Sequence, residues 1–299
     1  MRHFVRTFLL VGLAFAHSSF AQEPELKSVR VNGVEISYIE KGKGEPLILL
    51  HGGLFDYRSW QNQFDEFAQK YRVISYSRRY SYPNKNPITN AYRPAITDAE
   101  DLKLLLKDLG LKKVHLVGLS YGAFTGLIFA LENPKMVASM VLAEPPAHQI
   151  IRDLPGGEGS YQEFLEGLRP MGDAFRQGDD RGAIVIFNQK MGRDFDKLAE
   201  SAAKSMLQNA PSLKAINLSP DPFPAISNKQ LRKLQLPTLM IKGERADGLH
   251  SWVSDELASH IPNAKTVVIP NAGHNSPRDN PAFFNRTALD FLNSISRKE

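Results

Sequence analysis

The sequence predicts an α/β fold with a doubly wound, mostly parallel sheet and a helical insertion. Short runs of continuously apolar residues alternate along the chain with segments whose apolar residues recur at helical spacing. Continuous apolar runs are typical of strands buried on both faces, and strand–helix alternation is typical of parallel crossover units. In such a sheet the carboxyl ends of the strands meet along one edge, and ligands bind there.

The strands are predicted in chain order from these runs. Residues 26–31 and 34–40 are joined at Asn32-Gly33, a dipeptide typical of hairpins. Six further runs are expected to form the parallel part of the sheet, at residues 46–52, 71–77, 113–118, 137–144, 237–243 and 265–270.

Two helices are predicted between the central strands. Residues 96–110 have apolar residues at helical spacing, with Thr97 or Asp98 as the capping residue and Gly110 as the stop. Residues 121–134 form the second predicted helix, which a proline ends.

Residues 146–236 interrupt the alternation of strands and helices. They contain no run typical of a buried strand, and helical patterns at residues 161–179, 181–191 and 195–210. We expect a helical cap over the ligand edge of a core formed by residues 22–145 and 237–299. An independent second domain is the alternative, but strand-like segments resume directly after Leu236.

The first 21 residues have the three-part pattern of a secretory signal peptide. Arg2 and Arg6 precede an apolar core at residues 7–16, and small residues up to Ala21 predict cleavage there. A membrane anchor is the alternative, but a bilayer span takes about 20 apolar residues. We therefore expect export, to the periplasm or the medium, with no membrane span after cleavage.

Composition excludes several classes of site. The chain has no cysteine, so disulfides, thiolate metal sites and a thiol nucleophile are excluded. The formal charge of +5 falls to +3 if Arg2 and Arg6 are removed with the signal peptide. The remaining charges are interspersed, so nucleic-acid binding is not expected.

The pattern Gly118-Leu119-Ser120-Tyr121-Gly122 lies between a predicted strand and a predicted helix. A serine on such a turn is held in strained geometry with its hydroxyl exposed, and the flanking glycines let neighbouring chains pass. The Tyr121 N–H, at the start of the helix, would face a developing oxyanion. We predict Ser120 as a nucleophile; an idle serine on a tight turn is the alternative.

A glycine-rich loop and one histidine complete the predicted machinery. The glycines after His51 let the backbone curl, so the N–H of Gly53 or Leu54 is expected to face the same oxyanion. We expect the His51 side chain to be structural and bonded to loop backbone. His274 follows a predicted strand and comes after Ser120 in the chain, as this serine turn requires, so it is the predicted general base.

The chain resembles the α/β-hydrolase superfamily over roughly residues 26–296. The resemblance is carried by "HGG", "VHLVGLSYG", "MVLAEPP", "PTLMIKGE" and "IPNAGH", in that order. With "YSRRYSYPN" and "LAEPP" the chain is similar to a bacterial branch of serine hydrolases with capped active sites. The usual D-x-R-G-x-G is missing from the loop at residues 77–82. Arg78 or Arg79 there would bind a substrate carboxylate or form surface pairs with carboxylates of the protein.

The resemblance leaves two positions for the acid that orients the general base. In much of the superfamily it comes three residues after the glycine of a late strand, here Gly243. That position is Ala246, and Asp247 comes one later. In other members it ends the preceding strand, where this chain has Glu144. We favour Glu144 because its position before two prolines is rigid and a carboxylate ending an apolar strand needs a partner. Asp247 is the alternative acid, and the remaining alternative is Glu244 or no acid at all.

A serine at the turn favours acyl transfer, so the predicted activity is hydrolysis of a small-molecule carboxylic ester, thioester or lactone through a Ser-His-acid triad. A perhydrolase or a C–C bond hydrolase would use the same site, and a non-catalytic receptor on this scaffold is an alternative of another class. No metal-binding, phosphate-binding or dinucleotide motif occurs, so no cofactor is expected. Candidate pocket walls in the insertion are Phe164, Phe175, Phe187 and Met206.

Overall fold

The computed structural model describes residues 24–296. The signal peptide predicted at residues 1–21 lies outside these described residues. Within them, eight strands form one sheet: β1 Lys27–Val31, β2 Val34–Lys41, β3 Pro46–Leu50, β4 Arg72–Tyr76, β5 Val114–Leu119, β6 Val137–Ala143, β7 Thr238–Gly243 and β8 Ala264–Ile269.

The sheet is mostly parallel, as predicted. Its strand order is β1-β2-β4-β3-β5-β6-β7-β8. β1 and β2 form an antiparallel hairpin, and β2 is also antiparallel to β4. All other neighbours are parallel. Strands β3 to β8 therefore end at the same edge of the sheet, and the loops that follow them are brought together there.

Helices follow most of the strands. Their bounds are α1 Gln61–Phe67, α2 Ile96–Asp108, α3 Tyr121–Glu132, α4 Gly157–Arg176, α5 Asp180–Lys190, α6 Glu200–Gln208, α7 Ala210–Asn217, α8 Asn228–Arg232, α9 Gly248–His260, α10 Ser276–Asp279 and α11 Pro281–Ser296. Short 3₁₀ helices occur at Tyr57–Trp60, Pro134–Met136, His148–Ile151 and Phe195–Lys197.

The helices cover both faces of the sheet. Residues of α2, α3 and α9 share one apolar core with Leu50 of β3, and residues of α1 and α11 share a second core with Leu49. Successive side chains of a strand point to opposite faces, so a strand covered on both sides is apolar at every position. This explains why the central strands could be recognised as continuous apolar runs.

The segment between β6 and β7 is helical throughout its regular structure, as predicted, and comprises α4 to α8. Its helices enclose a small apolar core of their own, in which Phe175, Ile184 and Leu213 are buried. Leu54, from the loop after β3, belongs to the same cluster. The insertion is therefore packed onto the loop that was predicted to contribute oxyanion donors.

Two local predictions were wrong. Helix α2 begins at Ile96 and has no side-chain cap, so Thr97 and Asp98 lie in its first turn. The reason is that Asp98 accepts a hydrogen bond from Arg78 instead. The third helical pattern of the insertion, at residues 195–210, is divided into a 3₁₀ turn, α6 and the start of α7. Extended backbone at Leu198 and Ala199 separates the first two of these.

Within residues 24–296, none of the helices combines the length and the apolar character that a membrane span requires.

Candidate active site

Ser120 lies on the sharp turn between β5 and α3. Its backbone has φ 52° and ψ −123°, and a positive φ is uncommon for a residue other than glycine. Its N–H donates to the Ala143 carbonyl at 2.7 Å, which ties the turn to the end of β6. The serine is thereby held at the carboxyl edge of the sheet.

Two glycines permit this turn because other backbone passes close to them. A Cβ at Gly122 would lie 2.2 Å from the carbonyl oxygen of Leu50 and 2.5 Å from that of His51. A Cβ at Gly118 would lie 2.7 Å from the backbone of Ala123. The G-x-S-x-G spacing is therefore a requirement for close approach of α3 to β3 and to its own turn.

The predicted oxyanion donors border the serine. Tyr121 is the first residue of α3, so its N–H has no partner within the helix. Gly53 and Leu54 both line a cavity that Ser120 also lines. The structure thus brings these backbone segments to the same place, and the role of their N–H groups stays a prediction.

His51 is buried and bonded to backbone, as expected. Its Nδ1–H donates to the Gly52 carbonyl at 2.8 Å, and its Nε2 accepts the Arg78 N–H at 3.0 Å. These partners select the neutral Nδ1–H tautomer. Burial, followed by the nearby charge of Arg78, lowers the pKa of His51 to about 3. The ring therefore stays uncharged and braces the glycine-rich loop.

Arg78 also supports the glycine-rich loop, through hydrogen bonds to its backbone carbonyls. It is 2% exposed, and its Nη1 donates to Asp98 at 2.9 Å. Its Nη2 lies 3.1 Å from the Gly52 carbonyl and 3.3 Å from that of Gly53. The guanidinium carbon is also 4.9 Å from the centre of the Tyr121 ring. One buried cation thus contacts the glycine-rich loop after β3 and the side chain of Tyr121, the residue that follows Ser120.

Arg78 and Arg79 were expected to form ion pairs at the surface, but both arginines are buried. Arg79 is 6% exposed and makes two hydrogen bonds to Asp101, at 2.6 and 2.7 Å. Both arginines pair with carboxylates of the protein, as one alternative had it, but in the interior. Those pairings occupy the guanidinium groups that the other alternative assigned to a substrate carboxylate.

Glu144 follows directly after β6 with a φ of 46° and is 1% exposed. Its Oε1 accepts the Gly243 N–H at 2.7 Å, and its Oε2 lies 2.5 Å from Nδ1 of His274. Both carboxylate oxygens therefore have partners, which offsets the cost of burying the charge. A Cβ at Gly243 would lie 2.2 Å from the Gly273 carbonyl, so the glycine also lets the His274 loop approach.

His274 is held by Glu144 through one of its two ring nitrogens. Its Nδ1–H donates to Glu144, which leaves Nε2 without a proton in the neutral ring. Desolvation lowers the pKa of His274 below its usual 6.5; the hydrogen bond to Glu144 opposes this, and nearby His250 adds to the lowering. The ring is therefore neutral, and able to accept a proton, at neutral pH.

Asp247, the alternative acid, is engaged elsewhere. It is the residue before α9, and its Oδ1 accepts the His250 N–H at 2.8 Å. Its Oδ2 lies 2.7 Å from Nδ1 of the same histidine. Desolvation raises the pKa of Asp247, but its hydrogen bonds to His250 outweigh this and hold the pKa well below the usual range. The Asp247 carboxylate thus orients His250, and Glu144 is the carboxylate bonded to His274. Glu244, the third candidate, accepts the Asn271 N–H at 2.6 Å.

Two cavities adjoin the serine. The first, which we call the His148 cavity, has a volume of about 90 Å³. Its walls are formed by Gly53, Ser120, Tyr121, Pro146, His148, Phe164, Leu168, Met171, Phe187, Lys190, Met191, Leu213, Ile216, Asn217, Pro222, Phe223, His250 and His274. The second, the Arg193 cavity, has a volume of about 260 Å³ and shares Gly53, Ser120, Phe187, Met191 and His274 with the first. The structure records no hydrogen bond between Ser120 and His274 in its described residues, and such bonds often tighten only when substrate binds.

Sequence reasoning gave no role to His148 and His250, which both line the His148 cavity. The sequence places each near a candidate acid, since His148 follows Glu144 by four residues and His250 follows Asp247 by three, but that spacing does not place either side chain on the cavity wall. Of the predicted pocket walls, Phe164 and Phe187 line the cavity. Phe175 and Met206 belong instead to the apolar core of the insertion, 1% and 2% exposed.

A mostly parallel sheet of this order, with a serine on the turn after a central strand and a histidine after the last one, defines the α/β-hydrolase class of enzymes. The chain belongs to this family. The model of the alpha/beta hydrolase fold family matches residues 45–281.

Similar proteins include both esterases and C–C bond hydrolases. A 2-hydroxy-6-oxononadienedioate/2-hydroxy-6-oxononatrienedioate hydrolase of Pseudomonas putida is 27% identical over 276 residues, which cover 87% of this chain and 92% of the relative. The carboxylesterase YbfK of Bacillus subtilis is 26% identical and the match covers 82% and 79% of the two chains. The solved structure of that esterase superposes with a TM-score of 0.71 at 21% sequence identity, and the match covers 90% of this chain and 92% of the esterase. The structure of a thermophilic esterase of Thermogutta terrifontis superposes with a TM-score of 0.72 at 23% sequence identity. The match covers 91% of this chain and 99% of that esterase.

Proposed function

We propose that the protein is a serine hydrolase that cleaves a carboxylic ester, thioester or lactone through an acyl-enzyme on Ser120. In this reaction His274 Nε2 accepts the proton of the Ser120 hydroxyl while Oγ attacks the substrate carbonyl. Glu144 keeps the imidazole in the Nδ1–H tautomer and stabilises the cation that forms. Collapse of the tetrahedral intermediate releases the alcohol or thiol, which takes its proton from His274.

Water then completes the proposed cycle. His274 accepts a proton from a water molecule as it attacks the acyl-enzyme, and the acid product leaves when the proton returns to Ser120. Both tetrahedral intermediates carry an oxyanion. The N–H groups of Tyr121 and of Gly53 or Leu54 would stabilise that charge without reorganising during the reaction.

The observation that carries the proposal is the 2.5 Å contact between Glu144 Oε2 and His274 Nδ1. The other carboxylate oxygen is held by the Gly243 N–H, so the acid cannot turn away without losing two bonds. The opposite nitrogen of the same imidazole is left as the acceptor in cavities that Ser120 lines. A buried carboxylate, a histidine and a half-buried serine on a sharp turn are the parts of a general-base-activated nucleophile.

A fluorophosphonate probe tests the proposal directly, because it reacts with activated serines. We expect stoichiometric labelling of the folded protein, with loss of labelling in Ser120→Ala. Ser201→Ala, at an exposed serine of α6, is the matched control and should label like the unmodified protein. Folded protein that does not label would contradict the proposal and favour a non-catalytic receptor.

C–C bond hydrolysis is a second candidate, favoured by the names of several relatives. Enzymes named for 2-hydroxy-6-oxo-dienoate substrates are 25–27% identical to this chain over most of its length. The two activities separate on substrate profiling. We expect turnover of p-nitrophenyl esters at least tenfold faster than turnover of 2-hydroxy-6-oxo-6-phenylhexa-2,4-dienoate at equal concentration. Faster turnover of the dienoate than of the esters would make C–C bond hydrolysis the better-supported function.

We further propose that the insertion at residues 146–236 acts as a cap over the site. The support is that α4, α5 and α7 contribute wall residues to the cavity that contains Ser120. If so, the insertion determines which substrates enter. Exchange of Phe187 for tryptophan is then expected to reduce kcat/KM for long-chain esters more than for acetate esters, measured on one series of p-nitrophenyl esters.

Export is proposed from the sequence pattern of residues 1–21 alone. We expect the mature protein to begin at Gln22 and to occur in the periplasm or the medium. N-terminal sequencing of protein from each cell fraction tests this, and a cytoplasmic product that retains Met1 would contradict it.

A further inference from the structure

His148 has two buried nitrogen atoms without a protein partner. The side chain has 0% exposure, and neither Nδ1 nor Nε2 has a hydrogen-bond partner within residues 24–296. Buried polar atoms are nearly always paired, and leaving them unpaired costs free energy. A phenylalanine would pack among the same neighbours without that cost. The nitrogens therefore need an explanation other than packing.

The position of the ring supplies one. His148 lines the same cavity as Ser120 and His274. Much of the remaining wall is apolar, as at Leu168 and Ile216. In pockets of this kind a few polar groups orient the ligand and determine its identity. His148 is thus a polar residue of this wall whose nitrogen atoms have no partner among the described residues, and a bound ligand can supply one.

The ring is held firmly where it is. It stacks on Phe164 with 3.9 Å between ring centroids and meets the edge of Phe223 at 5.4 Å. The next residue, Gln149, donates from Nε2 to the Phe223 carbonyl at 2.5 Å. The segment also follows Glu144 by only four residues, so the backbone that positions the acid also positions His148. A fixed imidazole can select a substrate because it cannot turn aside.

Its protonation state limits what it can bind. Desolvation lowers the pKa of His148 well below the ordinary value; His250, His274 and Lys190 lower it further, and Asp247 opposes them. The imidazole is therefore neutral, with one N–H donor and one lone-pair acceptor. Lys190 also lines the cavity, but its side chain is exposed and its nitrogen lies 5.2 Å from the centre of the Phe164 ring. Lys190 therefore does not place a fixed positive charge at the buried part of the cavity wall.

We propose that His148 is a substrate-binding residue that hydrogen-bonds an uncharged hydroxyl group on the part of the substrate held in this cavity. A hydroxyl both donates and accepts, so it matches either nitrogen of a neutral imidazole. A carboxylate only accepts and carries a charge into an apolar wall. The assignment names the substrate class of the proposed ester hydrolysis and therefore rests on that function. The preferred substrates are hydroxylated esters, in the acyl or the alcohol part.

Two pairs of esters of matched shape test this. Ethyl 3-hydroxybutanoate is compared with ethyl 3-methylbutanoate, and 2-hydroxypropyl acetate with isobutyl acetate. We expect kcat/KM to favour the hydroxyl by roughly tenfold to a hundredfold in at least one pair, since the analogue leaves a buried polar group unpaired. In His148→Phe, which keeps the aromatic stacking, that preference should fall to within about twofold of unity.

Two further variants separate hydrogen bonding from cavity shape. His148→Gln keeps a donor and an acceptor and should recover part of the preference. Leu168→Ala alters the same wall without removing a nitrogen or the Phe164 ring that stacks on His148, so both esters of a pair should change in parallel and their ratio should persist. Binding of the four esters to Ser120→Ala, measured by calorimetry, reports the same preference without turnover.

The outcomes distinguish this inference from the proposed function. Turnover of all four esters with no hydroxyl preference, or a preference that persists in His148→Phe, overturns the role of His148 alone. A preference for monoethyl succinate that His148→Phe removes also overturns it, because the bound group is then a carboxylate. Tighter binding of a hydroxylated ester to Ser120→Ala without turnover by the unmodified protein supports His148 and contradicts the hydrolase.

Discussion

The imidazoles of His250 and His274 lie side by side, with 4.5 Å between their ring centroids. Each is hydrogen-bonded through Nδ1 to a different carboxylate, His250 to Asp247 and His274 to Glu144. Both rings line the cavity that contains Ser120. The site therefore holds two acid–histidine pairs.

Burial distinguishes the two pairs. The Glu144 side chain is 1% exposed, whereas that of Asp247 is 56% exposed. An exposed carboxylate is screened by water and stabilises a nearby cation less than a buried one. Asp247 also serves as the capping residue of α9. The geometry favours Glu144 as the acid of the proposed triad and gives Asp247 a supporting role.

Glu144→Gln and Asp247→Asn should have very different effects. A glutamine can present its amide N–H to His274 and select the wrong tautomer, so we expect kcat to fall about 10³- to 10⁴-fold. Asparagine keeps the oxygen that caps α9, so Asp247→Asn should change kcat less than about tenfold. Initial rates on p-nitrophenyl butyrate measure both. Equal losses in the two variants would contradict the assignment of Glu144.

The pH dependence of kcat/KM should report the lowered pKa of His274. Desolvation and His250 lower this pKa, while Glu144 and Asp247 raise it. Because the neutral ring is the proposed general base, activity should rise with pH through a midpoint below 6.5, the usual value for histidine. His250→Phe removes one lowering influence, so its midpoint should move to higher pH.

A second histidine of α9 is the control for that shift. His260 is paired with Glu256 at 2.8 Å and lies ten residues, or about 15 Å, further along the helix. His260→Phe should leave the midpoint where it is. A His250→Phe profile that moves to lower pH, or does not move, would count against the influence of His250 on His274.

Two glycines of α3 provide a matched test of the serine turn. In Gly122→Ala the new Cβ meets the Leu50 carbonyl oxygen at 2.2 Å, so the backbone must shift. We expect a loss of about 1–3 kcal/mol in the free energy of unfolding, as for other overpacked sites, with a larger loss of esterase activity. In Gly126→Ala the nearest atom is 3.7 Å away, on the Leu50 side chain.

Gly126→Ala should therefore be tolerated, and it should stabilise α3 by up to about 1 kcal/mol because alanine is the better helix former. Urea denaturation of both variants, with activity measured on the folded protein, gives the comparison. Similar stability and activity in the two variants would show that the turn does not depend on this close approach.

Sequence reasoning reached the residues whose geometry is determined within one strand and the loop after it. Ser120 and Gly122 were found because the turn after β5 needs them at fixed spacing, and Glu144 because a carboxylate ending an apolar strand needs a partner. His148 and His250 were missed because their place on the cavity wall depends on packing between segments about 100 residues apart. Nothing local to either histidine indicates that its neighbour will be the other.

The same limit explains why the capping residue of α2 was predicted wrongly, although the helix begins at Ile96 as predicted. Asp98 has the pattern of a capping residue, but its partner Arg78 lies twenty residues earlier and is buried with it. Local propensity predicts that the Asp98 side chain caps its own helix. In the structure it forms an ion pair with Arg78, from another segment of the chain. The apolar runs of the strands were informative because burial on both faces applies to every residue of a run. The pairing of single charged residues has no such repetition.

The buried pair formed by Arg78 and Asp98 should contribute strongly to stability. Both side chains are 1% exposed, so Arg78→Met leaves a buried carboxylate without its cation and is expected to cost about 3–5 kcal/mol in the free energy of unfolding. Arg152→Met is the matched control, since Arg152 and Glu158 are 42% and 49% exposed and such surface pairs contribute about 0–1 kcal/mol. Urea denaturation measures both.

Arg78 also holds the Gly52 and Gly53 carbonyls, so folded Arg78→Met should have reduced kcat as well. A variant that loses stability but keeps full kcat would show that the loop is positioned without this arginine.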